Sequence, residues 1–342
     1  MKTLEHRSKR MIKKIKQLIK EPGNSYPVQV KPLLPLEQAP STHSPVFLTR
    51  QVKDFLKSRY DFRYNLLTEE TEFRRFSQRN SFFLPVGKRE LNTFCMEAHQ
   101  EGVNCWDKDL QRYIYSTEVE SYHPFRLYMD ELPIWDGQER LSSLAKRVSG
   151  NLLWIKSFHI WMLGLAAQWM GLDMEQANSV APILISTEQG CHKSTFCRSL
   201  MPPQLACYYT DNLKLTAQGN PERLLAEMGL LNMDEFDKYG PQKMPLLKNL
   251  MQMSRLNICK AYQKNFRSLP RIASFIGTSN RTDLLCDPTG SRRFICVEVE
   301  HDIDCTDIEH TQIYAQLKSE LQAGARHWLS KDEERDLQRH NA

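Results

Sequence analysis

The chain has 342 residues, 41% hydrophobic and 25% charged, enough for two or three packed domains of about 100–200 residues each and too apolar for a disordered chain. Net charge is +5, but eight Lys/Arg against Glu5 make residues 1–20 net +7, which leaves −2 for the remainder and excludes a uniformly basic surface. Nine cysteines occur with no C-x-x-C pair, no Cys/His cluster at zinc spacing and no secretory signal ahead of them, which points to reduced thiols in a cytoplasmic protein. The most apolar stretch, Phe158–Leu172, is interrupted by His159 and Gln168 and is too short to span a bilayer.

Residues 1–20 place Leu4, Met11, Ile12, Ile15, Leu18 and Ile19 at helical spacing. This basic amphipathic helix suits a phosphate backbone, an acidic membrane surface or a protein partner. Residues 21–45 carry six prolines and read as an extended linker. Residues 46–140 read as a small α+β N-terminal domain. A helix over Val46–Arg59 precedes a hairpin of Tyr60–Leu66 and Glu72–Ser77, and helices follow over Arg89–Glu101 and Asp107–Tyr115. Tyr122–Phe125 and Leu132–Gly137 read as connectors, with His123 a structural turn residue. Arg63, Arg74, Arg75, Arg79, Lys88 and Arg89 lie near Tyr60, Tyr64 and Phe76. That mixture could bind nucleic acid, but strand alternation favours a core role for the aromatics.

Residues 141–178 form a helical layer with Trp154, Trp161 and Trp169. Over residues 179–300 short apolar runs alternate with helical segments: Ala181–Ile185, Leu230–Met233, Ile272–Thr278 and Phe294–Val299. This predicts an α/β fold whose parallel sheet is covered by helices on both faces. Residues 301–342 read as a short tail with one clear helix, Gln312–Leu329.

The chemistry gathers at the ends of those strands. Thr187-Glu188-Gln189-Gly190-Cys191-His192-Lys193-Ser194-Thr195 follows the first strand and opens a helix, the layout of a phosphate loop. In that layout loop amides cradle phosphates, Lys193 reaches the terminal phosphates and Ser194 holds Mg²⁺. Thr187 and His192 stand where the pattern G-x-x-x-x-G-K-[ST] has glycine; His192 occupies a place that favours positive φ. Asp234, 41 positions beyond Lys193, ends the second strand and can hold the Mg²⁺ shell, while Glu235 can orient and deprotonate an attacking water. Asn280, after the third strand, can hydrogen-bond a γ-phosphate and that water. Arg292 and Arg293, just before the last strand, suit an arginine finger reaching a neighbouring subunit, or surface ion pairs. Lys260, Tyr262, Lys264 and Arg267 interleave cations with an aromatic over a hairpin, which suits single-stranded nucleic acid or a plain solvated hairpin.

The ordered set STEQGCHKST, NMDEF, the Lys/Arg hairpin, FIGTSN and GSRRF resembles the superfamily 3 helicase branch of AAA+ ATPases. More closely, and with the upstream stretches RYDFRYN, YHPF and LPIWDG, the chain resembles the virulence-associated protein E family of phage and mobile elements, from about Tyr60 to Val299. The resemblance implies a P-loop AAA+-type core with Lys193 and Ser194 as Walker A residues. It implies Asp234 and Glu235 as Walker B, Asn280 as sensor 1 and Arg292 or Arg293 as the finger. It also implies ATP and Mg²⁺, self-association into a ring such as a hexamer, and action on DNA beside a primase or other replication protein.

The reading is therefore a helicase-like ATPase. The alternative is a nucleotide-binding assembly module that does not hydrolyse, favoured by His192 and the short C-terminal tail. A small-molecule kinase fits less well because no substrate lid is evident, and a GTPase less still because no N-K-x-D motif occurs.

Overall fold

The computed structural model describes residues 45–78, 82–172, 177–216, 219–258, 267–281 and 291–341. The amphipathic stretch 1–20 and most of the proline-rich linker lie outside the described residues. The chain divides into two compact units, Met1–Gln51 and Val52–Ala342. Of the first, the described part is the opening of helix α1 (Pro45–Arg59).

The second unit begins with a small four-stranded sheet. Strands β1 (Tyr60–Asn65) and β2 (Glu70–Arg75) form the expected antiparallel hairpin, with Phe62 opposite Phe73. Strand β3 (Leu84–Pro85) pairs with β2. Helices α2 (Lys88–Gln100) and α3 (Asp107–Ile114) follow, and β4 (Ser121–Tyr122) joins β1 in parallel. The arginines here are spent on internal pairs: Arg63 on Glu72, Arg74 on Asp61 and Arg75 on Glu97. Tyr60 is buried against Phe94. The core reading holds for Tyr60, whereas Tyr64 and Phe76 are only partly buried.

The stretch expected as a connector at Tyr122–Phe125 instead opens helix α4 (Pro124–Asp130). Proline tolerates the first helical position because that N–H has no intrahelical acceptor. His123 is the N-cap: its Nδ1 accepts from the Arg126 N–H at 3.4 Å.

Helices α5 (Leu141–Lys146) and α6 (Leu152–Met170) form the helical layer. Asn151 caps α6 by accepting from the amides of Leu153 and Trp154, and Gly171 ends it in the left-handed conformation at φ 66°. Trp154, Trp161 and Trp169 are buried, and Trp169 stacks on Tyr314. A large side chain buried this way contributes about 1.5–3 kcal/mol. Among the described residues no helix is long and apolar enough to cross a membrane.

The main sheet is built next. In chain order come β5 (Ala181–Ile185), α7 (Lys193–Ser199), β6 (Tyr209–Thr210), α8 (Pro221–Glu227) and β7 (Leu230–Met233). Helix α9 (Met244–Gln252) and a separate hairpin of β8 (Arg255–Ile258) and β9 (Arg267–Pro270) follow, and β10 (Ser274–Ser279) and β11 (Phe294–Glu298) complete the main sheet. The sheet order is β11-β5-β10-β7-β6 and every pairing is parallel. β5 and β10 are buried at every position, as central strands covered on both faces must be. β10 starts two residues later than expected because the amides of Ile272 and Ala273 both bond Leu225 O. Gly277 sits where β10 is pressed between its neighbours; a Cβ there would lie 2.8 Å from Ile183 Cδ1.

The C-terminal tail corrects the expectation of one helix over Gln312–Leu329. Helix α10 (His310–Gln322) stops before Gly324, which has φ 87°. A second helix, α11 (Lys331–His340), follows. It is capped by Ser330, which accepts from Glu333 N, while Glu333 accepts from Ser330 N and pairs with Arg326.

Candidate nucleotide site

Parallel strands put their carboxyl ends at one edge of the sheet. Register matches Ile185 with Ser279 and Met233 with Gly277, so the residues that follow β5, β7 and β10 emerge side by side. β10 lies between the other two. Asn280 therefore stands between the loop after β5 and the acids after β7.

The side chains meet there. Lys193 is buried, and its Nζ donates to Asn280 Oδ1 at 3.1 Å, Ser186 O at 3.1 Å and Glu188 O at 3.3 Å. Ser194 Oγ donates to Asp234 Oδ1 at 2.7 Å. Thr278 Oγ1 donates to the same carboxylate oxygen at 2.8 Å and accepts from the Glu235 N–H at 3.3 Å. Sequence reasoning gave Thr278 no role, since a threonine inside a strand reads as β-propensity; its place in FIGTSN was the available signal. Ser194 and the exposed Asp234 are hard oxygen donors of the kind Mg²⁺ takes.

The loop itself leaves Thr187, Glu188, Gln189 and Gly190 exposed, while Cys191 turns inward, with its thiol near Glu188 O and Ser186 Oγ. Gly190 has φ 91°, and nothing lies within 4 Å of where its Cβ would be. His192 adopts φ 59° and ψ 22°, the left-handed conformation its place demands, and its carbonyl accepts from Phe196 N at 2.8 Å to begin α7. Thr195 is exposed one position beyond Ser194. On the β11 side of the loop lies a cavity of about 310 Å³ whose lining includes Glu188, Glu298 and Glu300.

Glu235 also has positive φ, 50°, and its carboxylate is ion-paired with Lys238. Arg292 and Arg293 are not brought to this site. They occupy a single 3₁₀ turn ahead of Phe294, which pairs with Ala181 at the amino end of the sheet. The length of β5, about 13 Å over four steps of 3.3 Å, therefore lies between their end of the sheet and the end from which the Lys193 loop leaves. Arg292 lies 3.5 Å from Glu334, and burial together with the neighbouring Arg292 charge lowers Arg293 from its ordinary range. Lys260, Tyr262 and Lys264 lie outside the described residues; Arg267 begins β9.

The fold defines an α/β protein with an all-parallel five-stranded sheet flanked by helices, and a small mixed sheet ahead of it. The model of the Virulence-associated protein E-like domain matches residues 129–342, and the chain belongs to that family. No curated protein matches it. Similar solved structures include the apo structure of the NrS-1 C-terminal region (residues 305–718 of that protein). It is 13% identical with a TM-score of 0.47, covering 86% of this chain and 75% of that one. The A-form apo structure of the same region is 14% identical with a TM-score of 0.46, covering 86% and 74%.

Proposed function

We propose that the chain is a Mg²⁺-dependent ATPase that acts on DNA, single-stranded in the first instance, during replication or mobilisation of a phage or mobile element. One observation carries this reading: Lys193, Ser194, Asp234 and Asn280, from three different strand ends, are joined by hydrogen bonds at one sheet edge. Lys193 holds the terminal phosphates. Ser194 and Asp234 hold Mg²⁺, which when bound supplies charge neutralisation at the transferring phosphoryl group. Asn280 positions the attacking water and the γ-phosphate without adding charge. Glu235 accepts the water's proton, which requires it to leave Lys238. Arg292 and Arg293, at the far edge of their own sheet, serve a neighbour's site in a ring, with a hexamer as the working stoichiometry. A primase or other replication protein is the expected partner.

Phosphate release, measured with and without single-stranded DNA on a species of known mass, tests the proposal. DNA-stimulated release by a hexamer-sized species, lost in Lys193→Ala and Glu235→Gln, is the expected result. The Glu235–Lys238 ion pair favours a second reading, a module that binds nucleotide without hydrolysing it. ATP binding with no phosphate release under either condition selects that reading.

A further inference from the structure

The helical pair α2–α3 carries a cluster far in sequence from the phosphate loop. Cys95 and His99 are four residues apart on α2 and so share one helix face. The turn 101–106 brings Cys105 back beneath them. Cys95 Sγ and His99 Nε2 are 3.8 Å apart, Cys95 Sγ lies 3.5 Å from Cys105 O, and His99 Nε2 lies 2.6 Å from that carbonyl. The two sulfurs and the ring nitrogen all lie within 4.8 Å of one another. Tetrahedral zinc, with bonds of about 2.3 Å to sulfur and 2.0 Å to nitrogen, needs its ligand atoms roughly 3.5–3.8 Å apart. One pair already has that separation, and a shift of about 1 Å brings in the rest.

We propose that Cys95, His99 and Cys105 bind a zinc-like divalent cation, with water as the fourth ligand. The spacing C-x₃-H-x₅-C escaped the sequence reading because it matches no common zinc signature, and only the turn after α2 makes it a cluster. The backbone holds that turn from both ends. Gly102 N and Val103 N bond His99 O and Ala98 O, while Trp106 N bonds the Asp109 carboxylate at the start of α3. Cys105 is 1% exposed, Cys95 partly buried and His99 exposed, so the site is walled on the sulfur side and open on the imidazole side. That opening admits the ion and its water. Binding displaces the two thiol protons to solvent, and the imidazole gives up its contact with Cys105 O to offer the Nε2 lone pair with its proton on Nδ1. The ion would staple α2 to α3 and contribute to folding of the small sheet's helical cover.

The test uses the full chain. Bound zinc is counted by elemental mass spectrometry, and Co²⁺ is titrated into metal-free protein. One equivalent of zinc is expected, with cobalt giving the visible bands of a tetrahedral site and a thiolate charge-transfer band. Cys95→Ser and His99→Ala, both at accessible positions, should lose the stoichiometric metal while keeping the wild-type circular dichroism at low temperature. Cys207→Ser, an exposed thiol elsewhere, should retain it. Absence of bound zinc and of a cobalt spectrum in the wild type overturns the proposal, as does a cobalt spectrum unchanged in folded Cys95→Ser.

Discussion

Ser194 and Asp234, 40 residues apart, are joined by a 2.7 Å hydrogen bond across the carboxyl edge of the main sheet. The Asp234 oxygen that receives it also receives Thr278 Oγ1. Thr278 thus orients the carboxylate that the proposed Mg²⁺ site requires, without being a ligand. Thr278→Val keeps the shape and removes the hydroxyl, leaving Asp234 one donor short and the Glu235 amide without that acceptor. Loss of such a supporting bond typically costs 10–100-fold in metal affinity. The expected outcome is a Mg²⁺ requirement for nucleotide binding raised by about tenfold, read by titrating Mg²⁺ at fixed ATP, with thermal stability changed little. An unchanged Mg²⁺ curve would deny Thr278 its positioning role.

His192 stands in the left-handed region at φ 59° with its side chain exposed. Its cost is conformational, since no packing repays it. Histidine visits this region more readily than most residues, and a β-branched one hardly at all. His192→Val should therefore lose about 1–2 kcal/mol of stability, while His192→Gly should stay within about 1 kcal/mol of wild type, strain relief being offset by unfolded-chain entropy. Denaturant midpoints of the pair measure this. Equal stability of the two variants would mean that the loop does not hold this conformation in solution.

A pH dependence comes from His123. Burial, and then the nearby Arg126 charge, lower its pKa from 6.5 to about 4. A folded-state pKa below the unfolded value means the neutral ring is the one the fold accepts, and its Nδ1 must be unprotonated to cap α4. This contribution is complete above about pH 6.5 and is lost as pH falls through about 4. His123→Asn keeps a capping oxygen and removes the titration. Its stability should fall less steeply than wild type between pH 6.5 and 4, measured by urea unfolding at several pH values.

What could be read in advance follows from how each element is encoded. The central strands were legible because burial on both faces demands continuous apolar runs such as Ala181–Ile185. β6 was not, being two residues that pair only because β7 offers an edge. α11 was missed because its buried face comes down to Leu337 and Glu333, too little apolar pattern to stand out; Ser330-x-x-Glu333 was the overlooked sign. At the site, motif order suffices to bring Lys193, Ser194, Asp234 and Asn280 to one edge, since each follows a parallel strand. The same logic run backwards places Arg292 and Arg293 at the other edge, because they precede theirs.

Arg271 tests how far the core tolerates a cation without a carboxylate. It is 3% exposed and donates to four carbonyls: Ala273 at 2.7 Å, Met251 at 2.6 Å, Leu250 at 3.4 Å and Asn178 at 3.0 Å. Two of these belong to the last turn of α9, where the helix dipole is negative; Leu250 O also accepts from the Met253 N–H that caps the helix. Burial lowers the guanidinium to about 9, which leaves it charged at neutral pH. Arg271 thus fastens the end of α9 to the start of β10, the strand that carries Thr278 and Asn280. Arg271→Met fills much of the volume but strands several buried acceptors at about 1–3 kcal/mol each. A loss of roughly 3 kcal/mol in unfolding free energy is expected. Arg271→Lys should recover only part of it, since one ammonium cannot reach carbonyls that a planar fork spans. A Met variant as stable as wild type would mean that the desolvation cost of the cation cancels its four hydrogen bonds.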